Sequence, residues 1–222
     1  VSSSKQGGTT ETALFVLACW QGLFDSHMSH VKDAMELNTN DFYDKIADYW
    51  HLFYKDWDVK LEREGLSLRS SFRRRGIERV LVAASGIGTP AIPLAKLGYD
   101  VVATDASAGM LRRAKQLAEE HAVFDQLQFE QATFEDLAQI VSGKFDAVVC
   151  KGNALPHLVT NEAIENAVAT FYRLLRPGGT LVIGLRDFGQ FMEHRPRFLP
   201  GFDHNARLLA RPYRTRSIDD IY

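Results

Sequence analysis

Two glycines, Gly86 and Gly88, follow directly on the apolar run Val80-Leu81-Val82-Ala83, within the stretch ASGIGTP. An acid, Asp105, ends the next apolar run, 17 residues beyond Gly88. Glycines at a strand-to-helix turn let backbone approach a ligand more closely than residues bearing a Cβ. A carboxylate at the end of the second strand can accept both hydroxyls of a ribose. The pair therefore points to an adenosine-containing ligand. By itself it does not say which chemistry that ligand serves.

Nicotinamide chemistry fits poorly. A dinucleotide loop spaced G-x-G-x-x-G would carry its third glycine at position 91, where the chain has Ala91. A short-chain dehydrogenase would need glycine four residues before Gly86, and that residue is Val82. It would also need a Tyr followed four residues later by Lys, and no tyrosine in the chain has one.

The elements that must position these residues can be read from the pattern. After residue 77 apolar runs alternate with helical segments. Strands are expected at Arg79–Ala83, Asp100–Thr104, Gln126–Gln131, Ala147–Cys150 and Thr180–Gly184. Helices are expected at Pro90–Lys96, Ala108–Ala122, Phe134–Val141 and Asn161–Leu175. Such alternation predicts an α/β fold with a doubly wound, mostly parallel sheet. Right-handed crossovers place the loops after each strand along one ligand-binding edge.

The domain reading is an N-terminal extension over 1–40 and a catalytic domain over 41–222. Within the latter, 41–76 is an aromatic helical lid, 77–190 the core and 191–222 an irregular tail. Residues 1–12 are rich in Ser, Thr and Gly, and helical spacing runs through 13–37. Residues 41–63 read as one helix crowded with aromatics, including Tyr43, Trp50 and Tyr54. The tail, with several Arg and Pro, shows no clear strand. Without a closing hairpin the strand Thr180–Gly184 would present an open edge that favours homo-oligomerisation.

Composition excludes several classes. The 222 residues are 45% hydrophobic and 24% charged, with a net charge of −2. A nucleic-acid or anionic-membrane binder would carry a basic excess. The N-terminal apolar run Ala13–Trp20 is too short for a membrane span, which needs about 18 residues or more. The two cysteines, Cys19 and Cys150, form neither a metal-spaced pair nor a disulfide framework, which fits a cytoplasmic protein.

The order aromatic helix, glycine loop, TDAS, FDAVVCKGNALPHL and LLRPGGTLVI resembles the class I S-adenosylmethionine-dependent methyltransferases. More narrowly it is similar to the group that methylates glycine, sarcosine and dimethylglycine on the way to betaine. The segments GNALPHL and LRDF carry the narrower likeness. The resemblance implies a Rossmann-like methyltransferase fold, S-adenosylmethionine as cofactor, no metal, and a small amine or amino acid as acceptor. It implies that Gly86 and Gly88 face the methionine part of the cofactor, that Ala84 beside them also binds it, and that Asp105 holds the ribose. Met110, Thr133 and Phe134 would flank the adenine. His157 would lie near the cofactor's carboxylate end, Tyr43 and Trp50 would close over the cofactor, and Lys151 and Arg63 are further cofactor-binding candidates. Tyr54, Asn153 and Arg186 would hold the acceptor and are the candidate catalytic residues. Val82 and Ser85 stand where the group carries an acid and a cysteine. Two other readings of the same cofactor loop are an O-methyltransferase of secondary metabolism and a non-catalytic binding protein.

Overall fold

In the computed structural model the described residues are 39–185, with the backbone of 198–202 and 208–212. The helical expectation for 13–37, and the candidate Arg186, lie outside them.

Five parallel strands form the sheet: β1 (Arg79–Ala83), β2 (Asp100–Asp105), β3 (Leu127–Gln131), β4 (Phe145–Cys150) and β5 (Leu175–Ile183). Their order is β3-β2-β1-β4-β5, so the chain reverses direction across the sheet between β1 and β4. Ligands bind at such a reversal, outside the carboxyl ends of the strands. The three inner strands β2, β1 and β4 are almost continuous apolar runs because helices cover both faces of the sheet, whereas the edge strands β3 and β5 carry polar, exposed residues. On β1, Val80 and Val82 enter one core with Phe72, Ile92 and Leu94. Leu81 and Ala83 enter the other with Val148 and Phe171. Val82 is fully buried in the first core, which explains an apolar residue there.

The helices of the core are α3 (Ala91–Lys96), α4 (Ala108–Glu120), α5 (Leu137–Ile140) and α6 (Asn161–Leu174). Two of them start on side-chain caps. Ser107 Oγ accepts from Met110 N at 3.0 Å and Thr160 Oγ1 from Ala163 N at 3.1 Å. Each cap satisfies one of the amide donors that a helix start leaves unpaired.

Three expectations need correction. The aromatic segment is not one helix. Helix α1 (Thr39–Ile46) passes into a 3-10 helix at Ala47–Phe53, Tyr54 is extended, and α2 (Trp57–Arg75) starts afresh. Asp56 causes the restart, since its carboxylate accepts from Val59 N at 3.0 Å. Gly76, at φ 60°, then ends α2 in the left-handed conformation. The last strand begins earlier than expected. Leu175 pairs with Phe145 and Thr180 with Ala147, so the Pro177-Gly178-Gly179 turn is looped out inside the ladder. Finally, the tail does contain strands: β6 (Phe198–Phe202) pairs antiparallel with β7 (Leu208–Pro212). Pro200 and Gly201 hide this ribbon in the sequence, because both weaken a strand signal. Among the described residues the ribbon forms a separate two-stranded sheet, and β5 is the end strand of the five-stranded order.

Candidate active site

The carboxyl ends of β1, β2 and β4 open into a cleft of about 260 Å³, roofed by α1 and the start of α2. Its floor is the glycine loop. Ala84 adopts a left-handed φ of 53° and Gly86 one of 57°. Nothing lies within 4 Å of where a Gly86 Cβ would sit, so the loop leaves space above its backbone. Gly88 has a different job. It does not line the cleft, and a Cβ there would meet Ile92 Cδ1 at 2.9 Å, so this glycine serves the packing of α3.

Asp105 ties the loops together. One carboxylate oxygen accepts from Gly86 N at 2.7 Å and the other from Ser107 N at 3.0 Å. Each oxygen keeps a second acceptor site for a ligand hydroxyl. Burial pushes the Asp105 carboxyl above its usual range, and the amide donors from Ser107 and Gly86 only partly offset it. Met110, Ala132, Thr133, Phe134 and Leu137 continue the lining as a largely apolar slot beside Asp105. The hydroxyl and amide of Thr133 are engaged with Asp136, at 3.0 and 2.6 Å.

The roof is aromatic. Tyr43 lies between Trp50 and His157, at ring-centroid distances of 5.4 and 5.6 Å, and its hydroxyl bonds His157 Nε2 at 3.0 Å. Burial raises the Tyr43 phenol and lowers the His157 imidazolium, so both rings stay neutral around pH 7. The roof is joined to the core by Asp44. Its Oδ1 accepts from Ser107 Oγ at 2.5 Å and from Gly109 N at 2.7 Å, at the start of α4.

At the other end the lining includes Tyr54, Lys60, Glu64, Lys151 and Gly152. Lys60 and Glu64, four apart on α2, share a helix face and pair at 2.8 Å. Lys151 also pairs with Glu64. Burial pushes Glu64 up, but the hydrogen bonds from Lys151 and Lys60 outweigh it and hold the carboxyl below its usual range.

The structure thus brings together Tyr43, Trp50, Tyr54, Ala84, Gly86, Asp105, Met110, Thr133, Phe134, Lys151 and His157. Arg63 is not with them. It is exposed on α2, and the phase of that helix puts Lys60 and Glu64 on the cleft face instead. Asn153 sits beside the lining residues Gly152 and Ala154, in a left-handed turn at φ 67°. Its backbone N–H donates to Gly184 O at 3.4 Å, which anchors this loop to the end of β5. Lys60 and Glu64 escape a sequence reading. Their only signal is an i, i+4 pair in the charged stretch Lys60–Glu64, which looks like a solvated face.

The histidines give the domain an acid limit. Burial lowers His51, His121 and His157 from the usual 6.5. Below that pH the unfolded chain binds protons that the folded chain does not. Their contribution to stability is therefore complete above about pH 6.5 and is lost as pH falls toward the depressed folded values. Melting temperature is expected to drop on acidification from about pH 7.5 to about 5.5, with His157→Gln flattening part of the slope. An unchanged slope in that variant would show that His157 does not contribute.

Residues 80–179 match the family described as "Methyltransferase domain". The glycine/sarcosine N-methyltransferase of Halorhodospira halochloris is 31% identical over 171 residues, covering 77% of this chain and 62% of that protein. The glycine/sarcosine N-methyltransferase of Parasynechococcus marenigrum (strain WH8102) is 32% identical over 154 residues, covering 69% of this chain and 53% of that protein. The chain thus spans between about half and three fifths of these relatives' length. A solved S-adenosylmethionine-dependent methyltransferase from Clostridium acetobutylicum ATCC 824 superposes with a TM-score of 0.58 at 15% identity, covering 72% of this chain and 63% of that one, and shares its fold. Residues 80–179 thus form a methyltransferase domain, the sheet has the fold of a solved S-adenosylmethionine-dependent methyltransferase, and the chain resembles the glycine/sarcosine N-methyltransferases.

Proposed function

We propose that this domain transfers a methyl group from S-adenosylmethionine to the nitrogen of a small amine or amino acid, with glycine, sarcosine and dimethylglycine the leading acceptors. The carrying observation is the single cleft that runs from Asp105 and its apolar slot to Tyr54 and Lys151 under an aromatic roof. The cofactor of this family is S-adenosylmethionine, and the residues present fit it. Asp105 has acceptor capacity for two ribose hydroxyls, Met110, Phe134 and Leu137 offer apolar walls for a base, and the loop at Gly86 leaves its backbone open. Lys60 and Lys151 are the ammonium groups of the described lining, so a carboxylate would be held at that end.

Once bound, the cofactor supplies an electrophilic methyl, so that a nitrogen–carbon bond forms as the carbon–sulfur bond breaks and its electrons leave on a neutral thioether. The protein's task is positioning in a water-poor site, which contributes ~7–11 kcal/mol when the geometry is good. The residues that enclose the cleft serve this. Tyr43 and His157, which line it, are neutral. An amine must arrive as its free base, and such a wall disfavours the charged form. No general base is required, because the amine proton can leave after the methyl has moved. Tyr54 and the backbone at Gly152 and Asn153 would orient the acceptor. Arg186, from the sequence reading, would grip its carboxylate with a planar fork that Lys cannot copy.

Methyl-labelled cofactor, offered with glycine, sarcosine, dimethylglycine and phenolic controls, tests the reading. Label is expected on the amine nitrogen of at least one amino acid. Label on phenols alone would replace it with an O-methyltransferase.

A further inference from the structure

The ion-paired strip Lys60–Glu64–Lys151 does more than hold α2 to the sheet. We infer that Glu64 is the counter-charge for the ammonium group of the cofactor's amino-acid end, with Lys60 and Lys151 taking the carboxylate beside it. The inference rests on the cofactor assignment proposed above.

The argument is one of elimination within the cleft. The amino-acid end of the ligand is a zwitterion and needs one partner of each sign, since a desolvated charge without a partner is costly. Two carboxylates occur among the described lining residues, Asp105 and Glu64. Asp105 is committed to the ribose end and already accepts two backbone amides. Val82, below the loop, is fully buried and apolar. Glu64 is what remains. It is only 8% exposed, yet it lines the cleft.

Its placement is built in from both sides. A Cβ on Gly65 would lie 3.0 Å from Pro93 Cβ, so this glycine lets α2 approach α3 beside the glycine loop. The stem of Lys151 crosses the end of β5, since a Cβ on Gly184 would meet Lys151 Cγ at 2.9 Å. From there its ammonium group reaches Glu64. The result is a strip of alternating sign, two cations around one buried anion. Such a strip is complementary to a zwitterion, whereas two lysines alone would select any anion.

The test pairs a variant with a missing ligand group. Wild type and Glu64→Gln are titrated by calorimetry with S-adenosylhomocysteine, with its des-amino analogue, and with methylthioadenosine, which lacks the amino-acid end. In wild type, removing the ammonium should weaken binding roughly 10–100-fold, the scale of a charge-assisted hydrogen bond. In Glu64→Gln that loss should vanish, while methylthioadenosine binds both proteins equally, which also shows that the variant is folded. If both proteins lose the same factor on removal of the ammonium, Glu64 is only a structural tie and the inference is overturned. Should Glu64→Gln bind none of the three, Lys151→Met is titrated instead. That variant should lose affinity for both ligands that keep the carboxylate but not for methylthioadenosine. An undiminished carboxylate contribution in Lys151→Met would likewise overturn the charge strip. If wild type binds none of the three, the cofactor assignment itself fails and takes the inference with it.

Discussion

Asp105→Ala is expected to weaken S-adenosylhomocysteine binding by at least about 150-fold. Two hydrogen bonds to a carboxylate would be lost, each contributing ~1.5–3 kcal/mol, so the smaller sum is already about 3 kcal/mol. The variant also removes the acceptor for Gly86 N and Ser107 N, so the loop loses its shape as well as its ligand contact. A pH dependence accompanies this. The Asp105 carboxyl lies above its usual range in the free protein because burial outweighs its amide donors. Affinity should therefore increase as pH rises through that raised value and fall below it, where the protonated group has lost its charge-assisted acceptor strength. Hydroxyl donors favour the ionised form, so binding itself should release a proton from the fraction still protonated. Calorimetry in buffers of different ionisation heat measures that proton directly. If Asp105→Ala binds within threefold of wild type, the ribose is not held here.

Gly109→Val should have the second large effect, at a residue outside the cleft lining. A Cβ at this position would lie 2.7 Å from Asp44 Cα and 2.8 Å from its carbonyl oxygen, both backbone atoms that cannot step aside singly. Helix α1 would have to lift from α4. Asp44 would then lose Ser107 and Gly109, and Tyr43 would be carried away from His157. Overpacking costs about 1–3 kcal/mol, and broken bonds to a carboxylate add to it. A loss of about 3 kcal/mol in urea unfolding is expected, together with faster amide exchange over α1. Ser107 makes the link functional, since it bonds Asp44 with its hydroxyl and Asp105 with its amide. Ligand affinity should therefore fall too. Wild-type stability with normal exchange would mean that α1 does not depend on this contact.

What the sequence revealed and what it hid divide along physical lines. The strands β1, β2 and β4 were legible because strands covered on both faces are continuous apolar runs, and Asp105 was legible because it ends one of them. The start of β5 was not, because a Pro-Gly-Gly turn normally ends pairing and here is accommodated as a bulge between Leu175 and Thr180. The aromatic segment misled for a related reason. Its rings recur at helical spacing, while a single cap at Asp56 decides where the second helix begins. Arg63 and Lys60 cannot be told apart in the sequence, because nothing in a charged helix declares its phase until the helix has docked. Gly65 against Pro93 sets that docking, and neither residue signals it in the sequence. The Asp44 contact is 65 residues from Gly109 along the chain, and no local pattern can announce a partner at that distance.

One titration tests the central claim most directly. S-adenosylhomocysteine and NADH both carry adenosine, and both can offer ribose hydroxyls to an acid at the end of β2. Only the first fits a cleft whose far end is Lys60, Glu64 and Lys151 rather than a glycine-lined pyrophosphate site. Calorimetry of the chain with each ligand should show saturable one-to-one binding of S-adenosylhomocysteine, lost in Asp105→Ala, and no binding of NADH. Binding of NADH without S-adenosylhomocysteine would contradict the account.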